Sequence, residues 1–125
     1  MSKFNNPQNL PFYCVVGQPI GHSLSPLIHQ AFAKSLHIPL CYERVEVTPQ
    51  QFERDLIEFA VMGGRGLNVT VPLKEIAATF ADELRPRAEF AGAANTIIVK
   101  PEGGYIADNT DGVGLVTDLI SNLGR

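Results

Sequence analysis

The stretch GLNVTVPLKE, residues 66–75, sets the fold class. Gly66 to Val71 is rich in β-favouring residues and reads as a strand. Pro72 suits the first position of a helix, because its φ is already helical and its missing N–H would lack a partner there anyway. Strand, proline, helix is the unit from which layered α/β folds are built. Lys74 sits awkwardly in that unit. It falls at about the third helical position, where the macrodipole favours Asp or Glu and a cation costs about 0.3–1 kcal/mol. Two readings follow: a lysine kept there for chemistry, or an ordinary surface lysine.

The same unit occurs twice upstream. FYCVV, residues 12–16, is a short apolar run of the kind that forms a buried strand. A loop follows, and Ser25-Pro26 opens a helix with an apolar stripe of Leu27, Ile28, Ala31, Phe32 and Leu36, ended by His37-Ile38-Pro39. CYERVEV, residues 41–47, is a strand of mixed exposure. Thr48-Pro49-Gln50-Gln51 has the form of a capping box, and Phe52, Leu56, Phe59 and Ala60 give the helix after it a buried face. Gly63-Gly64 stops that helix. Downstream, the helix from Pro72 runs to Phe80, and a short one lies between Arg85-Pro86-Arg87 and Phe90. Strands at 95–100 and 105–108 are joined by Pro101-Glu102-Gly103-Gly104 as a hairpin. Asp111-Gly112 starts a last helix, with Val116, Leu119, Ile120 and Leu123 on one side. The fold expected is α/β: a mainly parallel sheet, helices on both faces, and one antiparallel hairpin near the C-terminus.

The 125 residues make one domain, with 45% hydrophobic and 18% charged residues. The net charge is −3 and lysine and arginine do not cluster, which argues against nucleic acid or an anionic membrane as partner. No apolar run reaches membrane-spanning length, and the first dozen residues, MSKFNNPQNLPF, lack a signal-peptide core. Residues 1–10 are expected to be a mobile tail on a domain at 11–125. Cys14 and Cys41 stand in strand-like runs and are expected as buried free thiols, although a disulfide between them is open. Nothing in their spacing suggests a metal site. The expected compartment is the cytoplasm.

In such folds ligands sit beyond the carboxyl ends of the strands, which points to the loops at 17–25, 68–74 and 108–112. Ser23 and Ser25 lie two apart before a helix N-terminus, fit for a carboxylate or phosphate, or else a loop serine and a plain N-cap. Asn68 and Thr70 repeat the two-apart spacing, and with Lys74 they form a donor and acceptor set suited to a polyhydroxylated small molecule. Asp108-Asn109-Thr110-Asp111-Gly112 adds two carboxylates, with Asp111 also a natural N-cap. Asn95 either reaches the same mouth or satisfies backbone in its turn. His22, His29 and His37 have no ligand spacing, and His29 is expected to be structural. Gly112-Val113-Gly114 begins like a dinucleotide fingerprint, but the third position falls on Thr117 and no acidic-ended strand follows.

GHSLSP, NVTVPLK, GAANT and DNTDGVG occur in one order from about Phe12 to the C-terminus. Together they resemble the substrate-binding domain of the shikimate dehydrogenase family, with Leu24 and Ala94 as minor departures. The resemblance implies NADPH-dependent reduction of 3-dehydroshikimate to shikimate, in aromatic amino-acid biosynthesis, between a substrate domain and a Rossmann domain. It implies that Ser23 and Ser25 hold the substrate carboxylate, that Thr70, Asn95 and less directly Asn68 bind ring hydroxyls, and that Lys74 and Asp111 are the catalytic pair. The cofactor of the full-length family is NADP. The chain ends at Arg125, where that cofactor domain is expected to begin, so no cofactor binding and no turnover are expected of it alone. A homodimer through surface exposed by the missing domain is also expected. The alternatives are a non-catalytic module binding shikimate-like or quinate-like hydroxy acids, and an assembly domain.

Overall fold

The computed structural model describes residues 2–20, 25–37 and 39–110, without the side chains of Ser25, Pro26, Ile28 and Phe32. Strand β1 (Phe12–Gly17) leads to helix α1 (Ser25–Ser35), β2 (Cys41–Glu46), a 3₁₀ turn (Pro49–Gln51) and α2 (Phe52–Val61). Then come β3 (Gly64–Val69), α3 (Lys74–Phe80), β4 (Glu83–Leu84), α4 (Pro86–Ala91), β5 (Thr96–Val99) and β6 (Tyr105–Asp108). The six strands form one sheet in the order β2-β1-β3-β5-β6-β4. Pairs β1/β2, β1/β3 and β4/β6 are parallel; β3/β5 and β5/β6 are antiparallel. This is the α/β class the alternation of elements predicts.

β1 lies between β2 and β3, parallel to both, and all six of its residues are buried, as a parallel strand covered on both faces requires. Its side chains alternate between two cores. Phe12, Cys14 and Val16 pack with Leu56 and Phe59 of α2, Leu67 and Val69 of β3, and Ala77 of α3. Tyr13 and Val15 pack with Ile20, Leu40, Tyr42 and Ala33 of α1. Helices therefore cover both faces.

Local signals were misleading in several places. Of the expected tail at 1–10, the described residues 2–10 do not trail away from the domain: Phe4 is 4% exposed and its ring lies 5.4 Å from Phe59 and 6.4 Å from Phe12. Thr48 makes no side-chain cap bond, because residues 49–51 close a 3₁₀ turn before α2 begins. Ala60 is half-buried, and Asp55 instead joins the buried face of α2. Leu27 on α1 and Leu36 just after it are exposed, whereas His29 and Ala33 are buried. Helix α3 starts at Lys74 rather than Pro72, since residues 71–72 form a turn closed by Leu73 N–H donating to Thr70 O at 3.0 Å. The two-residue strand β4 has no periodicity for a sequence reading to detect. The expected helix after Asp111 lies outside the described residues.

Both cysteines are free thiols, Cys14 buried as expected and Cys41 only half-buried. Among the described residues no helix is long and apolar enough to cross a membrane, and no group of three or more His, Cys, Asp or Glu could hold a metal ion.

Candidate functional site

β1, β2, β3 and β6 run in one direction and β5 runs against them. One edge of the sheet therefore collects the carboxyl ends at Gly17, Val69 and Asp108 and the start of β5 at Thr96. Backbone hydrogen bonds stitch the loops there. Thr70 N–H donates to Val16 O at 2.9 Å and Gln18 N–H to Val71 O at 3.1 Å, which ties the loop after β3 to the one after β1. Val69 N–H donates to Asn95 O at 2.8 Å, Ala94 N–H to Lys74 O at 2.9 Å, and Asn95 N–H to Asp108 O at 3.1 Å. Residues 93–95 thus form a strap between the first residue of α3 and the end of β6.

Gly17 makes the first of these approaches possible. A Cβ at that position would overlap Thr70 Cγ2 and stand 3.2 Å from Val71 O. The loops after β1 and β3 can meet only because no side chain separates them.

Four of the expected site residues are brought together at this edge. Asn68 and Thr70 are half-buried and Lys74 is exposed at the first helical position, closer to the helix end than the sequence suggests. Among the described residues, Thr70 Oγ1, Lys74 Nζ and Asn68 Nδ2 make no hydrogen bond. Asn68 Oδ1 accepts from the Tyr42 hydroxyl. Asn95 is engaged more fully: Nδ2 donates to Thr110 O at 2.7 Å, and Oδ1 accepts from Thr110 N–H at 2.9 Å and Thr96 Oγ1 at 3.1 Å. Of the two readings open for Asn95, satisfaction of turn backbone is present in the structure, and the second amide hydrogen meets no acceptor among the described residues. Ser25 is the first residue of α1, but its side chain, like Ser23 and Asp111, lies outside the described residues.

Asp108, the first carboxylate of the DNTDG segment, has a structural post. It is 1% exposed, accepts from Arg87 Nη2 at 2.7 Å and Arg85 Nη1 at 3.2 Å, and takes Asn109 N–H at 2.7 Å. A buried carboxylate needs such partners, and both arginines come from the start of α4, Arg85 capping it and Arg87 in its first turn. In the sequence, Arg85-Pro86-Arg87 registers only as a break.

Sequence reading also missed Tyr42 and the buried hydroxyls. Thr96, 0% exposed, lies 3.2 Å from Thr110 across their hydroxyls. His29 is structural, as expected: it is buried and stacks on Tyr42 with centroids 4.5 Å apart and planes 11° apart. A cavity of about 860 Å³ lies elsewhere, between α2 and α3, lined by Phe52, Glu53, Glu75, Phe80, Asp82 and Tyr105. Burial, and secondarily Asp82, push the Tyr105 hydroxyl pKa up. None of the polar loop residues lines that cavity.

An open α/β sheet with donors gathered beyond its strand ends has the architecture of a small-molecule binding domain. Comparison with known proteins specifies which. The family model described as shikimate dehydrogenase substrate binding domain matches residues 15–97, and the chain belongs to that family. It is 51% identical over 112 residues to the shikimate dehydrogenase (NADP(+)) of Shewanella halifaxensis, covering 90% of this chain and 40% of that protein. With the enzyme of the same name from Saccharophagus degradans, identity is 47% over 111 residues, covering 89% and 40%. The shikimate 5-dehydrogenase of Thermus thermophilus, solved in complex with shikimate, matches with a TM-score of 0.77 at 34% identity, over 90% of this chain and 42% of that one. The chain thus spans about 40% of the length of the curated relatives it matches.

Proposed function

We propose that this chain is the substrate-holding and proton-transferring half of an NADP-dependent shikimate dehydrogenase, which interconverts 3-dehydroshikimate and shikimate. The observation that carries the reading is the set of donors without an acceptor among the described residues, Asn68 Nδ2, Thr70 Oγ1 and Lys74 Nζ, gathered at one sheet edge beside the 93–95 strap. Such a set suits a compact ring bearing several hydroxyls. The relative solved with shikimate supports the choice of ring.

In this reading Ser23 and Ser25 hold the carboxylate, and Asn68, Thr70 and Asn95 the ring hydroxyls. Reducing a ketone leaves an oxyanion that requires a proton, and Lys74 Nζ is the donor, paired with Asp111. Its seat at the head of α3 is unfavourable for a cation, and proton delivery gives that seat a purpose.

The described turns after β2 and β3, VTP at 47–49 and TVPL at 70–73, contain no glycine, and the loop after β1, GQPIGHSL at 17–24, lacks the G-x-G-x-x-G spacing of a pyrophosphate-binding turn. NADP is therefore assigned to a separate domain, and the chain alone is expected to show no turnover.

Calorimetric titration of the chain with shikimate tests the reading. Saturable binding, weakened at least about tenfold by Ser23→Ala and by Lys74→Ala, is the expected result, each loss being that of a charge-assisted hydrogen bond. Folded protein that shows no binding would overturn the claim that this segment holds a preformed site. Binding unaltered in both variants would overturn the assignment of the site.

A further inference from the structure

We infer that Tyr42 is a positioning residue for Asn68, fixing its amide so that the ligand meets the nitrogen, a donor, and not the oxygen. This rests on the substrate site proposed above. Asn68 lies next to the last residue of β3, half-buried at the binding edge. A side-chain amide has a donor end and an acceptor end of nearly equal shape. Left alone at the mouth of a site, it can turn over and present either one. Here Oδ1 is taken by the Tyr42 hydroxyl. The aromatic ring draws on the hydroxyl lone pairs, which makes a phenol a better donor than acceptor and settles which amide end faces it.

Tyr42 is well placed to impose that choice. It sits on β2, opposite Tyr13 of β1, while Asn68 sits opposite Val15 on the other flank of β1. The phenol therefore reaches across β1. It is 4% exposed, packed among Tyr13, Val15, Ile20, Ala33 and Leu40, and pressed by the stacked His29 ring from α1. Apolar packing on all these sides holds the hydroxyl to one position, and the hydroxyl holds the amide. The subsite at Asn68 then selects a ligand oxygen with a lone pair to offer, and disfavours an N–H group at that position.

Two measurements test this. The first is a double-mutant cycle read by shikimate titration of the 125-residue chain, with Tyr42→Phe, Asn68→Ala and the pair. Tyr42→Phe alone is expected to weaken binding by about fivefold, the worth of one hydrogen bond, and to change affinity less than about twofold when Asn68 is already Ala. An equal loss in both backgrounds would mean that Tyr42 acts through packing, and no loss in either would mean that it does not act; both overturn the inference. The second needs no ligand. In the free protein, Tyr42→Phe should shift the ¹³Cγ resonance of Asn68, whose carbonyl loses its donor, and leave its ¹⁵Nδ2 in place. Movement of ¹⁵Nδ2 instead, or of neither nucleus, overturns the assignment. A chain that binds no shikimate but shows the ¹³Cγ shift would refute the proposed substrate and leave the Tyr42–Asn68 relationship standing.

Discussion

Asn95 clasps Thr110 through both ends of its amide, with Nδ2 donating to the carbonyl at 2.7 Å and Oδ1 accepting the N–H at 2.9 Å. It imitates a strand partner just beyond the last ladder pair, Thr96 with Asp108. A residue proposed to touch substrate thus also holds the chain at Thr110.

Asn95→Ala should therefore do more than remove a ligand contact. It removes both of these hydrogen bonds from the backbone of Thr110, a buried residue, and the expected cost is about 2 kcal/mol. A lowered urea midpoint at unchanged slope would show it. A variant as stable as the parent would mean that the clasp contributes nothing to folding.

The N-terminal segment should behave as part of the core. Phe4→Ala removes a ring packed on Phe12 and Phe59 and should destabilise by about 3 kcal/mol. Lys3→Met should cost about 1–2 kcal/mol, because Asp55, 1% exposed, loses its partner at 2.9 Å. Thermal unfolding of both variants checks this; a true tail would leave the melting temperature unmoved.

Gly17→Ala should separate the loops after β1 and β3. The added methyl overlaps Thr70 Cγ2, and backbone at Val71 O stands 3.2 Å away, so the strain cannot be relieved by rotating a side chain alone. Overpacking of this kind costs about 1–3 kcal/mol. Shifts in the amide resonances of residues 70–74, with a parallel loss of shikimate affinity, are the expected outcome.

Stability should decline in alkali. Burial pushes the Cys14 thiol well above its ordinary 9.0, helped by Cys41 and Glu43, and burial likewise raises Cys41. The folded state keeps these protons while the unfolded chain releases them near 9.0, so the contribution is whole below that pH and is lost as pH rises through the folded values. Urea midpoints at about pH 7.5, 9 and 10 should fall in that order, and less steeply in Cys14→Ala. A midpoint that rises with pH would contradict the burial of the Cys14 thiol.

The sequence by itself determined the α/β class, the alternation of elements, and the loops that gather at one sheet edge. It also supplied the chemistry available there, since Asn68, Thr70, Lys74 and Asn95 all stand at that edge. These properties are written in local periodicity, in turn residues, and in the rule that parallel strands end on one side.

What only the tertiary structure decided are the pairings between distant residues. Tyr42 and Asn68 are 26 residues apart, Asn95 and Thr110 15 apart, and Lys3 and Asp55 52 apart. Which of them meet depends on strand order and register, and a strand read alone reveals neither its neighbour nor its offset. The same limit explains the misread N-terminus. Phe4 has no periodic context in MSKFNNPQNL, and its place beside Phe12 and Phe59 exists only once β1 and α2 have come together to form it.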